Sequence, residues 1–270
     1  MTPQSQGTFI LFSDFEQLKN EVEKLRTELS MLMLERDSLV YVEAKNLEMR
    51  YMLELGAIEY RAYEAQCTVL RLKRKIELIQ ARKNRQEKIV LPEIDRILDQ
   101  EFIEYQKALN AKIDEMNAAI ERSRLPVLSQ EETRELKKLY RKIVKILHPD
   151  LNPDLTEAQK ELFYHAVTAY ENGDLQTLQV ISEMLSDPGE LDCSETTMVR
   201  LAHEKERLRK LLNALQEEIA QIKSQFPFTV KELLQSPEKI AARREELNEL
   251  IREYQAMISM YQAKIKEMLR

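Results

Sequence analysis

Apolar residues recur along this chain in steps of four and three, the spacing that lines up one face of a helix. The first such seam is Leu18, Val22, Leu25, Leu29, Leu32 and Leu39, with Arg36 interrupting one core position. Ahead of it, Ser13-Asp14-Phe15-Glu16 has the form of a capping box, in which hydroxyl and carboxylate each satisfy a free amide at a helix start. The pattern therefore predicts a coiled-coil helix over 13–45, preceded by a disordered 1–12. After a weak break around Glu43 to Asn46, where Asn46 is a candidate cap, the rhythm returns through Tyr51, Leu55, Ile58, Ala62, Ala65, Val69, Leu72, Ile76 and Ile79. Gly56, Ala62 and Ala65 leave room for a partner helix to come close. Pro92 suits a first helical turn, and Leu98, Phe102, Tyr105, Leu109, Ile113, Met116 and Ile120 supply the next stripe. The two segments predict an antiparallel helical hairpin over 46–125, ended by Pro126 and the cluster from Ser123 to Ser129.

Beyond residue 187 the same rhythm resumes. Ser194 is a candidate cap for a helix with its seam through Leu201, Leu208, Leu212, Leu215, Ile219 and Ile222. The stretch from Gln225 to Pro237 breaks it, and a last helix carries Ile240, Leu247, Ile251, Tyr254, Ile258, Tyr261, Ile265 and Met268, with Arg244 on one seam position. An antiparallel coiled-coil hairpin over 188–270 is expected, with the amino-terminal helix as a candidate third strand. Whether these seams close within one chain or between two copies in a homodimer, the sequence leaves open.

Composition agrees with helices. Among 270 residues 33% are charged, with only four glycines and eight prolines, so the chain has few places to reverse as a many-stranded fold must. The fold class expected is all-α. A net charge of −6 argues against a surface built throughout for nucleic acid. Cys67 and Cys193 stand far apart, without ligand partners at metal spacing, and His165 and His203 have none one turn away, so no metal, cofactor or disulfide framework is predicted. The polar, uncharged stretch Met1 to Gly7 does not resemble a signal peptide, and no apolar run reaches the roughly 18 residues of a membrane span. A cytoplasmic protein is expected. One basic run, 71–88, holds eight basic residues against two acids, with Arg71, Lys73, Arg74, Lys75, Arg82, Lys83 and Arg85 as a candidate patch. Without aromatic residues for base stacking, its simpler reading is a solvated face.

The segment 126–187 is different. Ser129-Gln130-Glu131-Glu132 is another capping box, opening a helix with Leu136, Leu139, Ile143 and Leu147 on one side and Lys138, Arg141, Lys142 and Lys145 on another. Six basic residues face a single acid between Arg134 and Leu147. The helix runs into His148-Pro149-Asp150, where the proline disfavours helical geometry in the residue before it. Thr156 can cap a following helix with Leu162, Phe163, Ala166, Ala169 and Tyr170 on its apolar face, ended by Gly173.

Tyr140-Arg141-Lys142-Ile143 with His148-Pro149-Asp150 eight positions after the tyrosine resembles the second helix and signature loop of the J domain of DnaJ-type proteins, and Phe163, Ala166, Ala169 and Tyr170 resemble its third helix. The resemblance implies a J-domain-like helical hairpin with Tyr140, Ile143, Leu147, Phe163, Ala166 and Tyr170 in its core. It also implies a co-chaperone function, in which the basic helix face docks on a DnaK-type chaperone and stimulates its ATPase. On that analogy Asp150 pairs with a chaperone arginine, Pro149 shapes the loop and His148 orients the contact, while the coiled-coil regions recruit a client or scaffold partner.

The resemblance covers about a fifth of the chain. An aromatic residue leading to Leu-Gly, the family's first-helix signature, is missing before Ser129, and the helix after Pro92 is a candidate substitute. Leu151 stands where the family often has lysine, and the 171–181 ending differs from the family's. No nucleophile, phosphate loop or orienting third residue accompanies His148 and Asp150, so the chain is not expected to be an enzyme.

Overall fold

The computed structural model describes residues 5–125, 127–185 and 195–270, the side chains of 5–14 and 195–197 excepted. The expected caps and boundaries at Ser194 and Pro126, and Cys193, lie outside the described residues. No strand occurs among them, and the fold is all-α. Two compact units share the chain, the first from 1–45 and 126–229, the second from 46–125 and 230–270. Five consecutive segments were expected; both units are instead assembled from non-contiguous stretches.

The first unit begins with α1 (Ser5–Asp37), followed by a wider, π-type segment Ser38–Ala44. Helix is already present at Ser5, so Ser13 lies inside α1 rather than capping it, and 5–12 is helical rather than disordered. A capping box starts a helix only where the preceding chain cannot continue one, and no proline stands between Ser5 and Ser13 to stop it. The break expected at Glu43 to Asn46 is likewise helical, and Asn46 caps nothing; its side-chain oxygen accepts from Arg122.

Helix α2 (Lys45–Tyr51), a second π-type segment (Met52–Gly56) and α3 (Ala57–Asn84) continue the second unit. Against α3 lie α4 (Leu91–Glu101) and α5 (Ile103–Ser123). Arg71 reaches Asp99, whereas Arg82, farther along α3, reaches Glu93, so the pair runs antiparallel as the two stripes predicted. Met116 of α5 lies against Gly56, where an added Cβ would sit 3.1 Å from its Cγ, the close approach expected of a small residue. The stripe expected along α5 splits. Leu109 and Ala119 are buried and Met116 is half-buried, while Tyr105, Ile113 and Ile120 face solvent, because steps of four, three, four and four drift around the helix.

In the first unit, α6 (Gln130–Leu147), α7 (Glu157–Asn172) and α8 (Leu175–Met184) pack on one another, and α6 also on α1. Helix α9 (Glu195–Ser224) lies along α1, burying Leu201, Leu208, Leu215 and Ile219 in the same core as Val22, Leu29 and Met33. In the second unit, after α10 (Lys231–Gln235), α11 (Pro237–Met268) lies along α3, with Ile240 and Leu247 packed on Leu55, Ile58 and Ala62. The antiparallel arm expected over 188–270 is therefore not formed. Glu21 pairs with Lys205 and Glu35 with Lys223, so α1 and α9 run parallel. Likewise Glu54 pairs with Arg244 while Ile79 shares its cluster with Ile265, so α3 and α11 run parallel. An apolar stripe specifies that a helix needs a partner, not which one.

Candidate docking site around His148

The Ser129 hydroxyl accepts from the Glu132 amide, and the Glu132 carboxylate accepts from the Ser129 amide at 2.7 Å, so α6 starts where its capping box predicts. Its buried stripe is Leu136, Tyr140, Ile143, Val144 and Leu147; Leu139, expected there, is half-buried. Lys138, Lys142 and Lys145 are exposed and Arg141 is half-buried. With Arg26, Thr27 and Ser30 of α1 they line a groove of about 630 Å³, floored by Ile146 and Leu151. Lys142 also donates to the Ser182 carbonyl at 3.1 Å, so part of its charge is spent within the fold.

Pro149 forces His148 out of the helix, and His148 takes extended backbone (φ −69°, ψ 125°). The amides of Leu151 and Asn152 turn back onto the His148 carbonyl at 3.1 and 3.0 Å. The Asn152 side chain donates to the carbonyls of Lys145 and Ile146, supplying partners for two of the last carbonyls of α6. Leu151 is 2% exposed, so an apolar residue belongs in this position.

His148 is buried, its ring meeting the edge of Phe163 at 5.1 Å. Burial pushes its pKa down and the Arg36 guanidinium adds to this, against the opposing pull of Asp150 and Asp37. The uncharged ring has one nitrogen free to accept. Two donors face the ring, the Asp150 amide at Nδ1 (3.1 Å) and Arg36 Nη2 at Nε2 (3.4 Å), so it accepts from one of them at a time, the shorter contact being that at Nδ1. The imidazole thus anchors the loop from inside, while the Asp150 side chain keeps 52% of its surface in solvent.

Behind the imidazole lies a polar group that the heptad pattern did not reveal. Asp37 is buried; its Oδ1 accepts from Arg36 Nη2 at 2.6 Å and its Oδ2 from the Tyr140 hydroxyl at 2.7 Å. Tyr140 stacks on Tyr170 with centroids 4.1 Å apart and planes 8° apart. Burial pushes both phenols up, Asp37 adding to each and Ser38 opposing at Tyr170. Tyr140, Ile143, Leu147, Phe163, Ala166 and Tyr170 all lie in one buried cluster.

Helix α9 also reaches the loop. Arg207 Nη1 donates to the Asp150 carbonyl at 2.7 Å, and Glu204 holds Arg207 at 2.8 Å and Arg26 at 3.1 Å. These pairs raise the Arg207 pKa and lower that of Glu204. Sequence reasoning did not find Arg207, Asn152 or Asp37. One signal was available for Arg36, a cation on an apolar seam. The helix after Pro92, a candidate substitute for the missing first helix, belongs to the second unit; α1 is what packs on α6.

The basic run is not part of this site. Arg71 pairs with Asp99, Arg74 with Glu101 and Glu77, Lys75 with Asp95 and Arg82 with Glu93, so α4 neutralises four of its cations. Lys73, Lys83 and Arg85 are exposed. Among the described residues no group of three or more histidines, cysteines or acids is placed to hold a metal, and no helix is long and apolar enough to cross a membrane. No protein-family profile, curated protein or solved structure matches the chain.

Proposed function

We propose that this chain is a J-domain-like co-chaperone adaptor of the cytoplasm. It docks on a DnaK-type chaperone and stimulates its ATPase, and its coiled-coil helices recruit a client or scaffold protein. The chain itself is not an enzyme in this reading. The observation that carries it is the loop: a buried, uncharged His148 ties down the backbone while the Asp150 carboxylate projects half-exposed just beyond the end of a helix that carries Lys138, Arg141 and Lys145. A cationic helix face speeds encounter with an acidic surface, and a rigid loop holds one carboxylate where a partner arginine can meet it without an ordering cost.

The test is single-turnover ATP hydrolysis by a DnaK-type chaperone with no addition, with this chain, and with its Asp150→Asn variant. Stimulation by the wild-type chain that the variant loses is the expected outcome; equal rates in all three overturn the proposal. A second reading, a scaffold whose hairpin is a packing element, is favoured by the ties of Arg207 to the Asp150 carbonyl and of Lys142 to Ser182. It predicts partner capture that is indifferent to Asp150.

A further inference from the structure

The groove between α1 and α6 has a feature that the basic run lacks. On α3, Arg71, Arg74, Lys75 and Arg82 each meet an acid of the neighbouring helix α4. On α6 the neighbouring helix adds charge of the same sign: Lys138, Arg141, Lys142 and Lys145 share their groove with Arg26 of α1, and no acid lines it. Among the described residues the side chains of Lys138, Arg141 and Lys145 make no ion pair or hydrogen bond, Arg141 even though it is half-buried. Arg26 gives Nη2 to Glu204 and leaves Nη1 unpaired, and the Thr27 hydroxyl on the same wall has no partner among them. Cations one helical turn apart repel; an anion between them turns that repulsion into attraction.

The spacing selects the kind of anion. Lys145 lies seven positions after Lys138, about 10 Å along the helix. An extended acidic peptide turns alternate carboxylates to opposite sides, so it presents one every ~7 Å on a given side, too few for five cations. A single-stranded nucleic acid needs rings for its bases to stack on, and no aromatic residue lines the groove. Directly linked phosphates carry charge at every unit, and their oxygens accept from lysine, arginine and hydroxyl alike. We infer that the α1–α6 groove is a binding site for an oligophosphate, held by Arg26, Lys138, Arg141, Lys142 and Lys145 with the Thr27 hydroxyl as a further donor. The site shares Lys138, Arg141 and Lys145 with the proposed docking face but does not rest on that reading.

The experiment is calorimetric titration of the full chain with sodium tripolyphosphate at low ionic strength and without divalent metal, with helicity followed by circular dichroism. One-to-one binding is expected, at least about tenfold weaker in the Arg141→Gln, Lys145→Gln double variant and unchanged in Lys73→Gln, Lys83→Gln, which removes the same charge from the second unit. Lys138→Gln, at an exposed side chain, should give a smaller loss in the same direction. No binding by the wild-type chain, or equal weakening in both double variants, overturns the inference. Metal-free ATP should bind no more tightly than tripolyphosphate, and hexaglutamate at least about tenfold more weakly. Tighter ATP binding would make this a nucleotide site and equal hexaglutamate binding a peptide site; either overturns the inference. No chaperone is present, so failure here and failure of the ATPase test are read separately.

Discussion

Tyr140 donates a hydroxyl hydrogen bond to Asp37 Oδ2 at 2.7 Å, joining two residues 103 positions apart inside a predominantly apolar core. Asp37 is 1% exposed and its other oxygen is taken by Arg36. A buried carboxylate tolerates the interior only when its lone pairs are occupied. The contact fixes how the α1 end, and with it Arg36, sits against the His148 ring.

Tyr140→Phe keeps the stacking on Tyr170 but strips Asp37 of a donor. A loss of about 1–3 kcal/mol in urea-unfolding stability is expected. Asp37→Asn also takes the counter-charge from Arg36, so it costs stability by itself, but added to Tyr140→Phe it should cost less than the sum of the two single losses, because the pair is already broken. Additive losses in the double-mutant cycle would contradict the coupling.

Titration of His148 should be visible as stability. Its folded pKa lies below the unfolded value, so between the two the unfolded chain binds more protons and stability rises with pH. The stabilisation is fully present above about pH 6.5 and is lost as pH falls toward the folded pKa. Thermal melts across that window should show the slope in wild type. His148→Asn, which keeps an acceptor near the Asp150 amide but does not titrate, should flatten it; an equal slope in both would assign the effect elsewhere.

Much of the helix content was legible in the sequence, because a seam and a capping box are local. The Ser129 and Thr156 caps and the left-handed Gly173 (φ 72°) stand where their residues predict. Pairing was legible in part: α4 folds back on α3 as its stripe predicts and the amino-terminal helix lies beside α9, but α11 goes to α3 instead of α9, and the α1–α9 and α3–α11 pairs run parallel. The residues that broke the pattern held the missing information. Arg36 leaves its seam to bind Asp37 and face His148, and Arg244 reaches the carbonyl and carboxylate of Glu54 in a π-type segment. A cation on a heptad core position marks a tertiary contact.

Gly173 closes α7 with a backbone that disfavours a side chain, and an added Cβ would also lie 3.1 Å from Leu128 Cδ1. Gly173→Ala should cost about 1–2 kcal/mol. Asn, which visits this conformation more readily, relieves the backbone strain but adds bulk against Leu128. Gly173→Asn as costly as Gly173→Ala in chemical denaturation would show that the Leu128 contact, not the dihedral, sets the penalty.

The four paired cations of the basic run make a different kind of prediction from Lys73, Lys83 and Arg85, which are exposed. Neutralising Arg71, Arg74, Lys75 and Arg82 removes ion pairs that hold α4 against α3 and that salt screens, as at any solvent-exposed pair. Amide exchange along α4 should quicken, and the difference from wild type should shrink in high salt. Neutralising Lys73, Lys83 and Arg85 should leave that exchange unchanged. Were the run a nucleic-acid site, both sets would weaken retention on single-stranded RNA, with a salt slope that falls as charges are removed. The expected result is no salt-sensitive retention to lose, because the acids of α4 already stand where phosphates would have to bind.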